Sequence, residues 1–193
     1  MVTDRGEGVQ PTQFRGIEFR SRTEARWAVF LDVLGVSFHY EPERFTLSDR
    51  RWYIPDFYVD DWNAFIEVKP DNDKIVTEEA DKARLLSKDR PDLNVWIAMG
   101  APNPASSPVI VLKEWAPEVP VATILERPEN KYRFLEDRRD EGIYWLQAEW
   151  EPQSFRRSFA IGGPGTSTPH DRLPLLHRTV ERAFEEARRA SFE

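Results

Sequence analysis

Hydrophobic residues recur with a helical period early in the chain. They share one face because their spacing is i, i+3, i+4 and i+7: Trp27, Phe30, Leu31 and Leu34. Ser21 and Glu24 have the spacing of a capping box, and Gly35 stands where a helix would end. The pattern predicts a helix over residues 21–34, with Glu24 at the start of its buried face.

Shorter apolar runs downstream predict strands. These runs cover residues 36–40, 53–59, 64–69, 94–99 and 109–112, the last as an edge strand. A second helix is predicted over residues 78–89, with Thr77 as its N-cap and Pro91 beyond its end. The order helix, three strands, helix, strand predicts an α/β fold with a mixed sheet of four to five strands flanked by helices.

The chain divides into three predicted regions. Residues 1–12 are polar and contain Gly and Pro, which predicts a flexible arm, and residues 13–116 hold the predicted core. Residues 117–193 form a predicted C-terminal extension packing on that core. Within the extension, residues 143–150 and 154–161 predict a hairpin, and residues 175–192 predict an amphipathic helix.

Composition fits a globular chain and excludes several classes of protein. The 193 residues are 40% hydrophobic and include seven Trp, enough apolar surface for a core. There is no Cys, so disulfides and thiolate zinc sites are excluded. No signal peptide or membrane span is evident, which favours a cytoplasmic protein without a membrane partner. The net charge of −7 argues against a broad nucleic-acid footprint, although Arg residues concentrate in 14–27.

Two carboxylates and one ammonium are predicted to converge on one patch of the sheet. If strands 53–59 and 64–69 form a hairpin centred between Asp61 and Trp62, Asp56 lies opposite Glu67. Facing residues of such a pair have Cβ atoms about 4.5–5.5 Å apart. Alternation places Lys69 on the same face as Glu67. In an otherwise apolar strand, these charges indicate a functional site.

A divalent cation would offset the repulsion between the two carboxylates. One or two carboxylates with waters suit Mg²⁺, for which Mn²⁺ is expected to substitute, and the Val68 carbonyl could complete the ligand set. Lys69 could then orient or deprotonate a water and stabilise charge on a phosphate. The patch is therefore interpreted as equipped to hydrolyse a phosphodiester.

The sequence Ile54-Pro55-Asp56, followed after ten residues by Glu67-Val68-Lys69, resembles the signature of the PD-(D/E)XK nuclease superfamily. The segment 19–27 is also similar to small bacterial and phage members, and the resemblance covers roughly residues 14–100. It implies a restriction endonuclease-like αβββαβ core. It also implies that Glu24, on the first helix, joins Asp56, Glu67 and Lys69 in a catalytic metal site.

The resemblance further implies a Mg²⁺-dependent endodeoxyribonuclease that leaves a 5′-phosphate and a 3′-hydroxyl, acting in restriction, repair, recombination or mobile-element biology. DNA is the expected partner, with a homodimer or larger complex left open and no small-molecule cofactor expected. Two alternatives remain: a non-cleaving DNA-binding or protein-interaction subunit that keeps the fold, and a ribonuclease.

Several basic residues are candidates for contact with the DNA backbone. Arg20, Arg22 and Arg26 suit phosphate recognition, although an ordinary helix-surface role is an alternative for all three. Lys82, on the predicted second helix, could reach a phosphate or remain solvated. For Glu24, a capping role with Ser21 alone is the alternative to metal binding.

Overall fold

The structure, a computed structural model, describes residues 12–69, 78–103, 109–112, 119–126, 131–136, 144–148, 158–162 and 178–192. Its strands are β1 (Thr12–Phe14), β2 (Ile17–Phe19), β3 (Phe38–Tyr40), β4 (Phe45–Thr46), β5 (Trp52–Tyr53), β6 (Phe57–Val59), β7 (Ala64–Lys69), β8 (Asn94–Met99), β9 (Val109–Val111), β10 (Lys131–Glu136), β11 (Tyr144–Ala148) and β12 (Ser158–Gly162). Its helices are α1 (Arg22–Leu34), α2 (Glu78–Asp89), α3 (Val121–Glu126) and α4 (Arg178–Arg189). The α/β class with helices flanking a mixed sheet is confirmed.

The first helix forms where its capping signals predict. Ser21 is the N-cap, and its hydroxyl oxygen accepts a hydrogen bond from the Glu24 backbone N–H at 3.1 Å. Gly35 ends the helix with φ +76°, a left-handed conformation that glycine adopts at little cost. The predicted apolar face is buried against the sheet and α4, so Glu24 enters the protein interior at the first turn of α1.

The central sheet has eight strands, more than the four or five predicted. Its order is β12-β11-β10-β9-β8-β7-β6-β3, in which β7 and β8 are parallel and all other pairs are antiparallel. The prediction of an edge strand at 109–112 is wrong, because β9 lies between β8 and β10. The predicted C-terminal hairpin is confirmed as the β11–β12 pair, whereas β1, β2, β4, α3 and β10 were not predicted.

The register predicted for the central hairpin is confirmed. Phe57 pairs with Ile66 and Val59 with Ala64, and a 3₁₀ turn over Asp60–Trp62 joins the two strands. Continued by one residue, this register sets Asp56 opposite Glu67. The two carboxylates predicted to be neighbours are therefore brought to the same end of the hairpin.

The predicted strand over 53–59 is wrong as a single element. It breaks at Ile54–Asp56 into β5, which pairs with β4 in a separate small hairpin, and β6, which belongs to the central sheet. Pro55 lies at the break, where its missing N–H removes one ladder hydrogen bond. The predicted strand 36–40 is likewise shorter, since β3 begins at Phe38.

Helices cover both faces of the sheet. On one face α1 and α4 bury Ile66, Trp96 and Ala98, and Phe30 of α1 contacts Phe184 of α4 with ring centroids 4.7 Å apart. On the other face the side chains of α2 and α3 pack with Val95 and Ile97. Side chains of α4 therefore belong to the same buried cluster as α1 and this face of the sheet. In the parts of the chain that the structure describes, no helix combines the length and apolarity needed to span a bilayer.

Candidate functional site

Asp56 lies at the break before β6 and is 1% exposed. Its Oδ2 accepts a hydrogen bond from the Val68 backbone N–H at 2.7 Å, and its Oδ1 lies 2.6 Å from Nη2 of Arg20. Burial, together with the negative charges of Glu67 and Glu24, raises the pKa of Asp56 well above its usual range, although Val68 and Arg20 act in the opposite direction. Asp56 is therefore a buried carboxylate that is subject to the negative charge of two other carboxylates, Glu67 and Glu24.

Glu67 lies on β7 and is 2% exposed. Its Oε1 is 2.6 Å from Nζ of Lys69, and its Oε2 accepts a hydrogen bond from the Tyr53 hydroxyl at 2.6 Å. Burial raises the pKa of Glu67, against the lowering effect of Lys69 and Tyr53. The predicted placement of Glu67 and Lys69 on one face is confirmed, and Lys69 is itself only 11% exposed.

Glu24 is bound by two hydroxyl groups. Its Oε2 accepts a hydrogen bond from Tyr40 at 2.6 Å, and its Oε1 accepts one from Ser21 at 2.8 Å. Burial, followed by the bond to Glu24, raises the pKa of Tyr40 above its usual value. The capping interaction with Ser21 is confirmed. Glu24 also acts electrostatically on Asp56, whereas ligation of a metal by Glu24 stays a prediction.

Arg20 connects the carboxylates to the protein surface. Its side chain is 57% exposed, and it contacts Oδ1 of buried Asp56 through Nη2 and Oε1 of Glu41 through Nε, the latter at 2.9 Å. Its backbone N–H donates to the Tyr40 hydroxyl at 3.1 Å. Arg20 is therefore the cation that balances Asp56, a contact that the sequence pattern did not predict.

For the other basic candidates, the described part of the chain gives no contact of Arg26 or Lys82 with Asp56 or Glu67. Arg22 is exposed at the start of α1, and Arg26 is half-buried with no hydrogen-bond partner for its Nε among the described residues. Lys82 pairs with Glu78 of its own helix at 2.8 Å, a local i,i+4 contact. Contacts of these three residues with DNA stay predictions.

The carboxylate oxygens of the site are ligands of the kind that a divalent cation such as Mg²⁺ takes. Among the residues that the structure describes, no three acidic or imidazole groups are gathered closely enough to hold a metal. Asp56 and Glu67 nevertheless present four carboxylate oxygens, and a carboxylate oxygen can accept more than one contact. One or two carboxylates with waters suffice for Mg²⁺. The oxygen donors fit the ion, and Arg20 and Lys69 balance their charge in this arrangement. Of Val68, the structure gives the N–H bond to Asp56, and ligation by its carbonyl stays a prediction.

Sequence reasoning missed two tyrosines and one glutamate at the site. Tyr53 and Tyr40 each donate to a candidate carboxylate, and Glu41 shares Arg20 with Asp56. For Tyr40, a usable signal was available: it pairs with Phe57, next to Asp56, once β3 is placed beside β6. For Tyr53, the break at Pro55 hid the contact, because an unbroken strand would have carried its side chain away from Glu67.

Comparison with known proteins gives no independent assignment. No protein-family model matches the chain, and neither do curated proteins or solved structures. The chemistry of the site therefore has to be inferred from the residues that form it.

Proposed function

We propose that the protein is a Mg²⁺-dependent endodeoxyribonuclease with a restriction endonuclease-like core of the PD-(D/E)XK type. The order α1, β3, β6, β7, α2 and β8 is compatible with an αβββαβ core. The observation that carries the proposal is the pair of almost fully buried carboxylates, Asp56 and Glu67, beside the nearly buried amine of Lys69. Burying charged groups is costly even when they are paired, and clusters of such groups are concentrated at functional sites.

Asp56 and Glu67 are the residues that would hold the ion. When bound, Mg²⁺ supplies positive charge that favours phosphate and makes water more acidic. Glu24, held by Ser21 and Tyr40, would orient the water shell on the α1 side of the site. Tyr53 fixes the rotamer of Glu67, so that one carboxylate oxygen keeps a constant direction.

Lys69 is the candidate for orienting or deprotonating the attacking water. Its Nζ is held 2.6 Å from Glu67, at the end of β7, where it would sit beside a phosphate placed on the carboxylates. Arg20 would serve the same phosphate from the exposed side, because the guanidinium already reaches Asp56 and its side chain is open to solvent.

A nicking assay on supercoiled plasmid tests the proposal. Wild type should convert the plasmid to open-circle and linear forms with Mg²⁺ or Mn²⁺ and should be inactive in EDTA. Lys69→Ala should lose at least about a hundredfold in rate, the usual scale for a proton-transfer group. The control is Lys88→Ala, an exposed lysine of α2, which should cut like wild type. Cutting that survives Lys69→Ala would overturn the assignment.

The acidic balance of the chain favours one alternative, a subunit that keeps the fold without cleaving. Such a subunit would bind its partner without nicking plasmid in the presence of metal. The substitution Asp56→Ala would leave that binding unchanged. Matched RNA and DNA substrates in the same assay separate a ribonuclease from a deoxyribonuclease.

A further inference from the structure

The β4–β5 hairpin immediately precedes Asp56, and its outward face has no role in the chemistry proposed above. The inward side chains are committed to packing: Phe45 contacts Phe65 edge-on with centroids 5.1 Å apart, and Tyr53 donates to Glu67. Because successive side chains of a strand point to opposite faces, Trp52 and its cross-strand partner Thr46 point outward.

The outward face carries an exposed aromatic platform. Trp52 is 62% exposed and Ile54 is 40% exposed, and these are the exposed large hydrophobic side chains among the described residues. The guanidinium carbon of exposed Arg44 lies 4.3 Å from the centroid of the Trp52 ring. An exposed tryptophan carrying a cation presents a flat apolar surface and a positive charge to the same ligand.

The hairpin holds this platform at a defined distance from the carboxylates. Leu47 and Tyr53 are buried against α2, and the Ser48 N–H donates to Asp89 at the end of that helix at 2.8 Å. Trp52 precedes Asp56 by four residues, so their Cα atoms lie at most about 14 Å apart. The platform is therefore close enough for one nucleic-acid strand to touch both Trp52 and the carboxylates.

We propose that the outward face of the hairpin, formed by Arg44, Trp52 and Ile54, binds unpaired bases of single-stranded DNA next to the phosphate held at Asp56 and Glu67. A base would stack on Trp52 in place of the Arg44 guanidinium, which would turn to contact the neighbouring phosphate. The site of the phosphate rests on the proposed function, whereas stacking requires only an unpaired strand.

Two features favour a single strand over a duplex. Bases in a duplex stack on one another, so their faces are closed to a protein side chain, whereas aromatic platforms bind unstacked bases. The hairpin also offers positive charge for a phosphate: Arg44 and Arg50 are exposed, whereas Arg51 pairs with Asp49 and Glu43 precedes Arg44 in the chain. A binding surface confined to one small hairpin suits a short segment of single strand. A duplex would need phosphate contacts over a longer surface.

The test measures binding of a fluorescein-labelled oligodeoxythymidine by anisotropy, in EDTA and at low salt. Wild type should bind the single strand more tightly than a duplex of equal length. Trp52→Ala should weaken binding about tenfold or more, the scale of one lost base–aromatic stack. Trp52→Phe should keep most of the affinity because it keeps an aromatic face. Gln13→Ala, at an exposed and uncharged position of β1 in a separate sheet, is the control and should bind like wild type.

The proposal is overturned if Trp52→Ala binds the oligonucleotide as wild type does, if a duplex binds as well as the single strand, or if wild type does not bind. A thermal unfolding midpoint of Trp52→Ala equal to that of wild type excludes general destabilisation as the cause of weaker binding. Because the binding assay is done in EDTA, it does not depend on a metal. A failure to bind the oligonucleotide therefore leaves the plasmid-nicking assay as an independent test of the proposed function. Conversely, stacking without metal-dependent nicking would reject the nuclease and keep the binding surface.

Discussion

Replacing Lys69 by Met should destabilise the protein in a pH-dependent way, because the replacement leaves Glu67 without its cation. Glu67 is 2% exposed and Lys69 is 11% exposed, so solvent screens this pair little. Breaking a buried ion pair by removing one partner costs about 3–5 kcal/mol. The low end, about 3 kcal/mol, applies here because Tyr53 still donates to Glu67 and the carboxylate can take up a proton.

The sign of the pH dependence follows from the direction of the pKa shift. Burial raises the pKa of Glu67 in the folded protein, and Lys69 opposes that rise. Between the ordinary glutamate pKa of about 4.3 and the raised folded value, the folded state binds more protons than the unfolded state, so stability falls as pH rises. Without Lys69 the folded pKa rises further and this window widens upward. The deficit of Lys69→Met should therefore be small near pH 4 and largest near pH 8.

Urea unfolding in EDTA at several pH values measures the effect. In thermal unfolding at pH 8, the same loss of about 3 kcal/mol in the free energy of unfolding should lower the midpoint by about 6–12 °C for a chain of this length. Lys88→Met, at an exposed position, should change stability by less than about 0.5 kcal/mol. Adding Glu67→Gln to Lys69→Met removes the lone buried charge and should recover most of the loss. A Lys69→Met deficit that is absent at pH 8, or constant from pH 4 to 8, would refute the reasoning.

Two further predictions concern the partners of the carboxylates. Arg20→Gln removes the cation that balances Asp56. Because metal binding stabilises the folded state, Mg²⁺ or Mn²⁺ should raise the thermal midpoint of this variant more than that of wild type. Equal metal-induced shifts in the two proteins would contradict the balancing role of Arg20. Tyr53→Phe deletes the hydroxyl that donates to buried Glu67 and should cost about 1.5–3 kcal/mol in urea unfolding. Tyr58→Phe, which loses only an exposed 3.2 Å bond to Asn63, is its control and should be nearly neutral; equal losses in the two variants would reject a special role for Tyr53.

Elements that depend on the spacing of nearby residues were predictable from the sequence. The boundaries of α1 follow from Ser21, Glu24 and Gly35, since caps and helix-face periodicity involve residues within one or two turns. The register of β6 and β7 was predictable for a similar reason: a short turn of even length allows few pairings, and only one keeps the apolar side chains on the core face. That register by itself sets Asp56 opposite Glu67.

Contacts between distant parts of the chain were decided by tertiary structure alone. Arg20 reaches Asp56 across 36 positions, and Tyr53 reaches Glu67 only because the chain breaks at Pro55 and forms a separate hairpin. The interior position of β9 likewise depends on β10, a strand of the C-terminal region. Local patterns specify which face of an element is apolar, but they do not specify its neighbours. Partners of a buried charge are set by those neighbours, and so the electrostatic state of the carboxylates emerges only when the layers pack.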